Sequence, residues 1–301
     1  MSEDCKVEQC QLEIMENLDS QKVLQHFILT RFNLLLWNKD KTGSKVRTIK
    51  WLEHRFTLFE KYCLPSIKGQ TCQDFEWIVL FDSSTPEIFK TKIADYQKEC
   101  QQFIPVFVEP LKGRYFAEIF RREIVKRLKA DRVVSTYLDN DDALNVGFVE
   151  DLQRRALAVN ESTTFINYND GYQYFSEGGY LMKLLYPTNH FVSVVEKGNA
   201  TTIKGIFGYG SHAFIHQIKG VTIEHVRNKL MWCEVVHGKN MINDAIFLKV
   251  KMVKDCNVLR RDFGIDETVE FGFGIYIFKF LPRYARTFVR RVKEHLFGKE
   301  W

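Results

Sequence analysis

Strand-like apolar runs that stop at acids, spaced by segments of helical periodicity, constrain this chain most. "EWIVLFD" covers 76–82 and "RVVSTYL" 132–138; the first stops at Asp82 and the second runs into Asp139-Asn140-Asp141-Asp142. Runs this short, rich in β-branched and aromatic residues, predict strands buried on both faces. Further strands are expected over 23–36 and 104–110. Between them, 51–67 carries apolar residues at 51, 52, 56, 59, 62 and 63, close to helical spacing, and Pro65 marks its expected end. Thr85-Pro86-Glu87 predicts a helix start, with Thr85 as cap and Pro86 in the first turn, running to about Gln102. Helices are also expected over 115–129 and 148–159. This alternation predicts βαβ units and a mainly parallel sheet. Ligands of such sheets bind outside the carboxyl ends of the strands, where both acidic motifs fall.

After residue 160 the texture changes. The segments 163–175, 180–185 and 191–196 are β-like, with Gly-rich and polar breaks, and predict a mixed sheet extension lining the second side of a cleft. The expected organisation is a polar leader over 1–22, a first half over 23–160, a second half over 161–270 and a basic segment over 271–301. A chain 45% hydrophobic and 27% charged has ordinary globular composition, which excludes global disorder. The leader, with Glu3 and Asp4, does not read as a secretory signal, and no apolar run reaches the roughly 18 residues of a spanning helix. Seven scattered cysteines without a CxxC pair argue against a disulfide framework or zinc ribbon and for the cytosol.

Three carboxylates in four residues repel one another unless water or a cation intervenes. An Asx-rich turn capping a helix is the bland reading. An EF-hand loop matches at Asp139, Asp141 and Glu150 but fails at Ala143 and Leu144. A divalent-metal site for a diphosphate is the third reading, and the βαβ context favours it. "GIFGYGSHAF" (205–214) offers Gly208-x-Gly210-x-x-Ala213, but its late placement argues against a dinucleotide fingerprint. No P-loop string or GxSxG elbow occurs.

The ordered set "HFILTRFNL", "WLEHRFTLFEKYCLPSIKGQT", "FEWIVLFD" and "YLDNDDAL" resembles the rhamnosyltransferase group of nucleotide-sugar glycosyltransferases over roughly 24–245. The resemblance implies an α/β, GT-A-like, Rossmann-related fold whose acidic DxD motif holds Mn²⁺ or Mg²⁺ against the donor diphosphate. It implies Asp139 and Asp141 as metal ligands. Thr30, Arg31, Asp82 and Asn140 would lie around the nucleotide sugar, and the outcome would be inversion. Tyr137 stands where a basic residue is expected in this group. A late histidine in "MWCEVVHGKNMIND" (231–244), His237, resembles the group's metal or diphosphate contact, although a lone histidine is also commonly structural. Glu234 is a candidate general base, with Asp170 and Asp244 as competitors.

The net charge of +5 resides entirely in 279–301, where seven Lys/Arg face two Glu. From Leu281, residues 284, 285, 288, 289, 292 and 296 share one helical face, with Arg283, Arg286, Arg290 and Lys293 opposite. The segment reads either as a helix docked through Leu281, Phe288 and Val292, or as one lying on anionic lipid through 279–299. The neutral body without a recognition motif argues against nucleic acid. The expected activity is metal-dependent glycosyl transfer to a glycan or lipid-linked acceptor, at the inner, cytoplasmic face of a membrane. A non-catalytic sugar-nucleotide or glycan binder and a sugar nucleotidyltransferase are the alternatives.

Overall fold

The computed structural model describes residues 23–36, 43, 45–238 and 250–282, with 284, 285, 288, 289 and 292. The expected leader, Asp244 and most basic residues of the terminal segment lie outside these. Strand β1 (Gln25–Arg31) pairs in parallel with β2 (Glu76–Asp82) and β4 (Arg132–Tyr137), and β2 pairs in parallel with β3 (Phe103–Val108). Beyond β4 come β6 (Thr163–Phe175), β7 (Tyr180–Leu185), β8 (Ser193–Lys197) and β10 (Lys251–Met252), giving the order β10-β7-β6-β8-β4-β1-β2-β3. The short β5 (Ala143–Leu144) pairs antiparallel with β9 (Thr222–Val236), which runs parallel to β6. The whole is a mixed α/β fold with a parallel half-sheet.

Alternation along β1 and β2 sends side chains to two cores. Ile28, Trp77, Val79 and Phe81 meet Leu52, Phe56 and Phe59 of one helical layer, while Phe27, Leu29, Ile78 and Leu80 meet Phe120 and Ile124 on the other face. Helix α1 (Ile49–Leu58) passes through a π-turn (Phe59–Cys63) into α2 (Leu64–Lys68). The remaining helices are α3 (Glu87–Glu99), α4 (Phe116–Arg127), α5 (Phe148–Ala158), α6 (Val258–Phe263) and α7 (Phe273–Ile275).

Several boundaries differ from expectation. The first strand covers only seven residues, because the chain turns at Asn33, whose side chain bonds Thr85 and the Asp82 amide. Pro65 does not end its helix: the π-turn resets the register so that Pro65 falls in the first turn of α2, where a missing N–H is harmless. Thr85 is not a cap, since its hydroxyl donates to the Asp82 carbonyl, and Pro86 occupies the cap position. That helix stops at Glu99 because Cys100 is extended. Residues 231–236, read as a polar cluster, are the end of β9.

Candidate active site

The acidic turn follows β4, whose last residues are pinned by the Leu138 amide donating to the Leu29 carbonyl at 3.2 Å. The fold separates its three carboxylates and gives each its own partners. Asp139 accepts from the Tyr137 hydroxyl at 2.7 and 2.8 Å, and the Arg31 guanidinium lies 3.7 Å away. Arg31 also donates to the Tyr137 hydroxyl, so the phenol relays between guanidinium and carboxylate. Burial, reinforced by the Asp139 charge, pushes the Tyr137 phenol far up, so it remains a donor. The Arg31 guanidinium lies 4.8 Å from the Phe116 ring centroid and 5.2 Å from those of Tyr137 and Phe207. Its Nε is buried without a hydrogen-bond partner.

Asp141 accepts from Arg55 Nη1 at 2.8 Å and lies 2.9 Å from His237 Nε2. Burial favours the neutral acid here, but the Arg55 charge and the His237 contact outweigh it and hold the carboxyl well below the usual range. Asp142 is fully buried, 2.8 Å from His190 Nε2, and accepts from the Val235 amide at 2.8 Å. Burial, with Asp141 next door, pushes Asp142 up, while His190 is raised to about 9 because the carboxylates outweigh its burial. The two share protons across one contact and titrate as a unit.

A cleft of about 450 Å³ opens over this turn. Its floor includes Asp139, Asn140, Asp141 and His190, and its walls carry Arg31, Arg47 and Arg55. Asn140 anchors the floor by donating to the Phe32 carbonyl at 3.0 Å. Asp82 is buried, accepting from Arg47 at 2.6 Å and from the Ser84 amide at 2.8 Å, so Arg47 rather than Asp82 faces the cleft. Thr30 is fully buried, its hydroxyl accepting from the Trp77 indole at 2.9 Å, and it does not line the cleft. The opposite rim is made by two 3₁₀ turns, Ile206–Tyr209 and His212–Gln217, in the glycine-rich stretch. Glu196 at the end of β8 fastens that rim, accepting from the Lys204 and Gly205 amides and the Tyr209 hydroxyl, each at 2.9 Å. Burial, with cationic His190 nearby, lowers His212 to about 4, so a neutral imidazole lines the rim.

Glu234 is buried on β9 and accepts from the Gln173 amide. Burial raises its pKa, His190 and Gln173 oppose the shift, and Asp141 and Asp139 add to it. Asp170 instead accepts from the Asn228 amide at 2.9 Å, with Arg227 at 3.5 Å. Asp139, Asp142 and His190 bring ligand atoms within 4.8 Å of one another. The sequence reading assigned no role to Asp142, His190, Arg55 or Arg47. Arg55 alone had a signal, a charged residue on the apolar face of α1, four positions after Trp51.

Fold and site together define a mixed α/β protein whose acidic turn, at the carboxyl end of a parallel strand, floors a cleft. By its sequence the chain belongs to the family described as "Putative rhamnosyl transferase", whose model matches residues 25–247. No curated protein matches it individually. Among solved structures, S. aureus TarS 1–349 in complex with UDP is similar over 71% of this chain and 61% of that one, at 12% identity and a TM-score of 0.42. The complex of the same fragment with UDP-GlcNAc covers 72% and 60%, at 11% identity and a TM-score of 0.40. The chain thus spans about three fifths of that TarS fragment.

Proposed function

We propose that the chain moves a sugar from a nucleotide-diphosphate donor to a hydroxyl of a glycan or lipid-linked acceptor, with inversion and with Mn²⁺ or Mg²⁺ at the acidic turn. The convergence of Asp139 and His190, on the cleft floor, with the fully buried Asp142 carries this reading. Two carboxylates and an imidazole suit Mn²⁺, and the carboxylates also suit Mg²⁺. Asp139, 28% exposed, is the member open to the cleft. Asp141 and His237 form the other pairing in reach, but Arg55 already neutralises Asp141. A bound cation would offset the charge on the departing diphosphate. Arg31 and Arg55 line the cleft, and their guanidinium groups supply positive charge for phosphate oxygens.

In the displacement, the acceptor oxygen forms a bond to the anomeric carbon as the bond to the diphosphate oxygen breaks. The hydroxyl proton passes to a carboxylate, and we assign that role to Glu234. Glu234 is buried rather than cleft-lining, and its raised pKa makes it a stronger base than Asp141, whose pKa Arg55 depresses. With a cytosolic donor and a lipid-linked acceptor, the enzyme would work at the inner face of a membrane.

The test is a donor panel, rhamnosyl nucleotides included, assayed for nucleoside diphosphate release with Mn²⁺ and with EDTA. Release that needs the metal, and that Asp139→Asn lowers by at least a hundredfold, is expected. Donor binding without release from any donor would leave a sugar-nucleotide binding protein instead.

A further inference from the structure

The last helical elements are anchored to the body at few points and carry large apolar side chains outward. Helix α7 continues through a second π-turn (Tyr276–Phe280), and 281, 282, 284, 285, 288, 289 and 292 are also helical. Phe280 is buried with Phe175, Tyr180 and Met182, Ile275 packs on the same cluster, and Lys279 donates to the Gly178 carbonyl at 3.2 Å. Phe273 and Phe278 are 80% and 78% exposed, Phe288 and Val289 59% and 52%. Leu281 and Val292, the residues of the expected docked face, are exposed as well. Among the described residues of this segment, Ile275, Lys279 and Phe280 make the contacts with the body named above.

We propose that this segment is a docking element for an anionic bilayer, its aromatic and aliphatic side chains entering the boundary between headgroups and acyl chains. The argument for lipid is charge complementarity. Residues 279–301 hold seven Lys/Arg against two Glu, while the rest of the chain is formally neutral. Exposed aromatic side chains in a segment rich in Lys and Arg suit such a boundary. Self-association through the same segment would bring two such cationic stretches together, and interface cores are depleted of charge. The inference rests on the glycosyltransferase reading only in making the membrane the place where a lipid-linked acceptor is met; binding needs no catalysis.

The experiment is sedimentation of the full-length protein with phosphatidylcholine vesicles, with and without phosphatidylglycerol. Pelleting with the anionic vesicles alone is expected, weakening as salt is raised. Phe273→Glu with Phe278→Glu should abolish it; both positions are solvent-exposed, and an unchanged melting curve confirms the fold. Arg283→Gln with Arg286→Gln and Arg290→Gln should lower partitioning by roughly a hundredfold. Turnover of donor with a soluble acceptor serves as a separate readout that these variants leave unchanged, so a failure of membrane docking is distinguishable from a failure of the enzyme assignment. No pelleting, equal pelleting with neutral vesicles, or retained pelleting by the phenylalanine variant overturns the proposal. So does a dimer in light scattering that the phenylalanine variant dissolves while vesicles remain unbound.

Discussion

Arg55 is the residue on which the acidic turn most depends for stability. Its guanidinium and the Asp141 carboxylate are both nearly buried, side chains 11% and 8% exposed. Removing one member of such a pair strands the other, at a cost of about 3–5 kcal/mol, whereas removing both costs far less. Arg55→Met should therefore shift the urea midpoint strongly downward, and adding Asp141→Asn should restore much of it. The same contact sets an acid dependence. The folded pKa of Asp141 is depressed, so its contribution is present above the unfolded value of about 3.9 and is lost as pH falls below it. Asp141→Asn should flatten stability against pH in that acid range, and an unchanged slope in acid-titrated melts would remove Asp141 as its source. Tyr137 explains how the site manages without a basic residue at that position: Arg31 reaches across from β1 and the phenol carries its charge to Asp139. Tyr137→Phe should weaken donor binding in calorimetry by roughly tenfold to a hundredfold, the worth of a hydrogen bond to a charged group.

At the scale of elements, strands were legible in sequence where period and composition agree: 76–82 in the first half and 163–175 in the second have the predicted bounds. Ends were less legible where a side chain redirects the backbone, as Asn33 does, or where a π-turn absorbs a proline. Strand β9 escaped notice because its partners impose no simple alternation: its first residues are largely exposed, its last buried, and its register with β6 shifts twice. The site was legible where it is contiguous, at Asp139 to Asp142. His190 was not, since forty-eight positions separate it from Asp142 and only the return of β8 beside β4 brings it in. Gly171 in β6 marks another such contact. A Cβ there would lie 2.2 Å from the Trp232 ring, so only glycine lets the indole lie flat on the strand. Gly171→Ala should destabilise by about 1–3 kcal/mol through overpacking, read as a lowered melting temperature. An unaffected melt would mean that Trp232 is free to move aside.

For the whole molecule, charge and architecture are divided differently. The formal charge is concentrated at one end of the chain, whereas the backbone hydrogen bonding of the described residues is continuous: a ten-stranded sheet crosses from the first half to the second. Among the described residues no helix is long and apolar enough to cross a membrane. Strand β6 is the shared member of that sheet. Its first residues pair with β8, its last with β7, and its other edge with β9 over nearly its full length. Mechanically it is a beam clamped on both sides, which opposes a swing of one half against the other. Adjustment to a bound donor then falls to the 204–217 rim, where Gly205 and Gly210 hold left-handed backbone at φ +70° and +83°. Small-angle scattering should give the same radius of gyration with and without donor, while hydrogen exchange slows in the rim alone. A contraction in scattering would show that the beam bends.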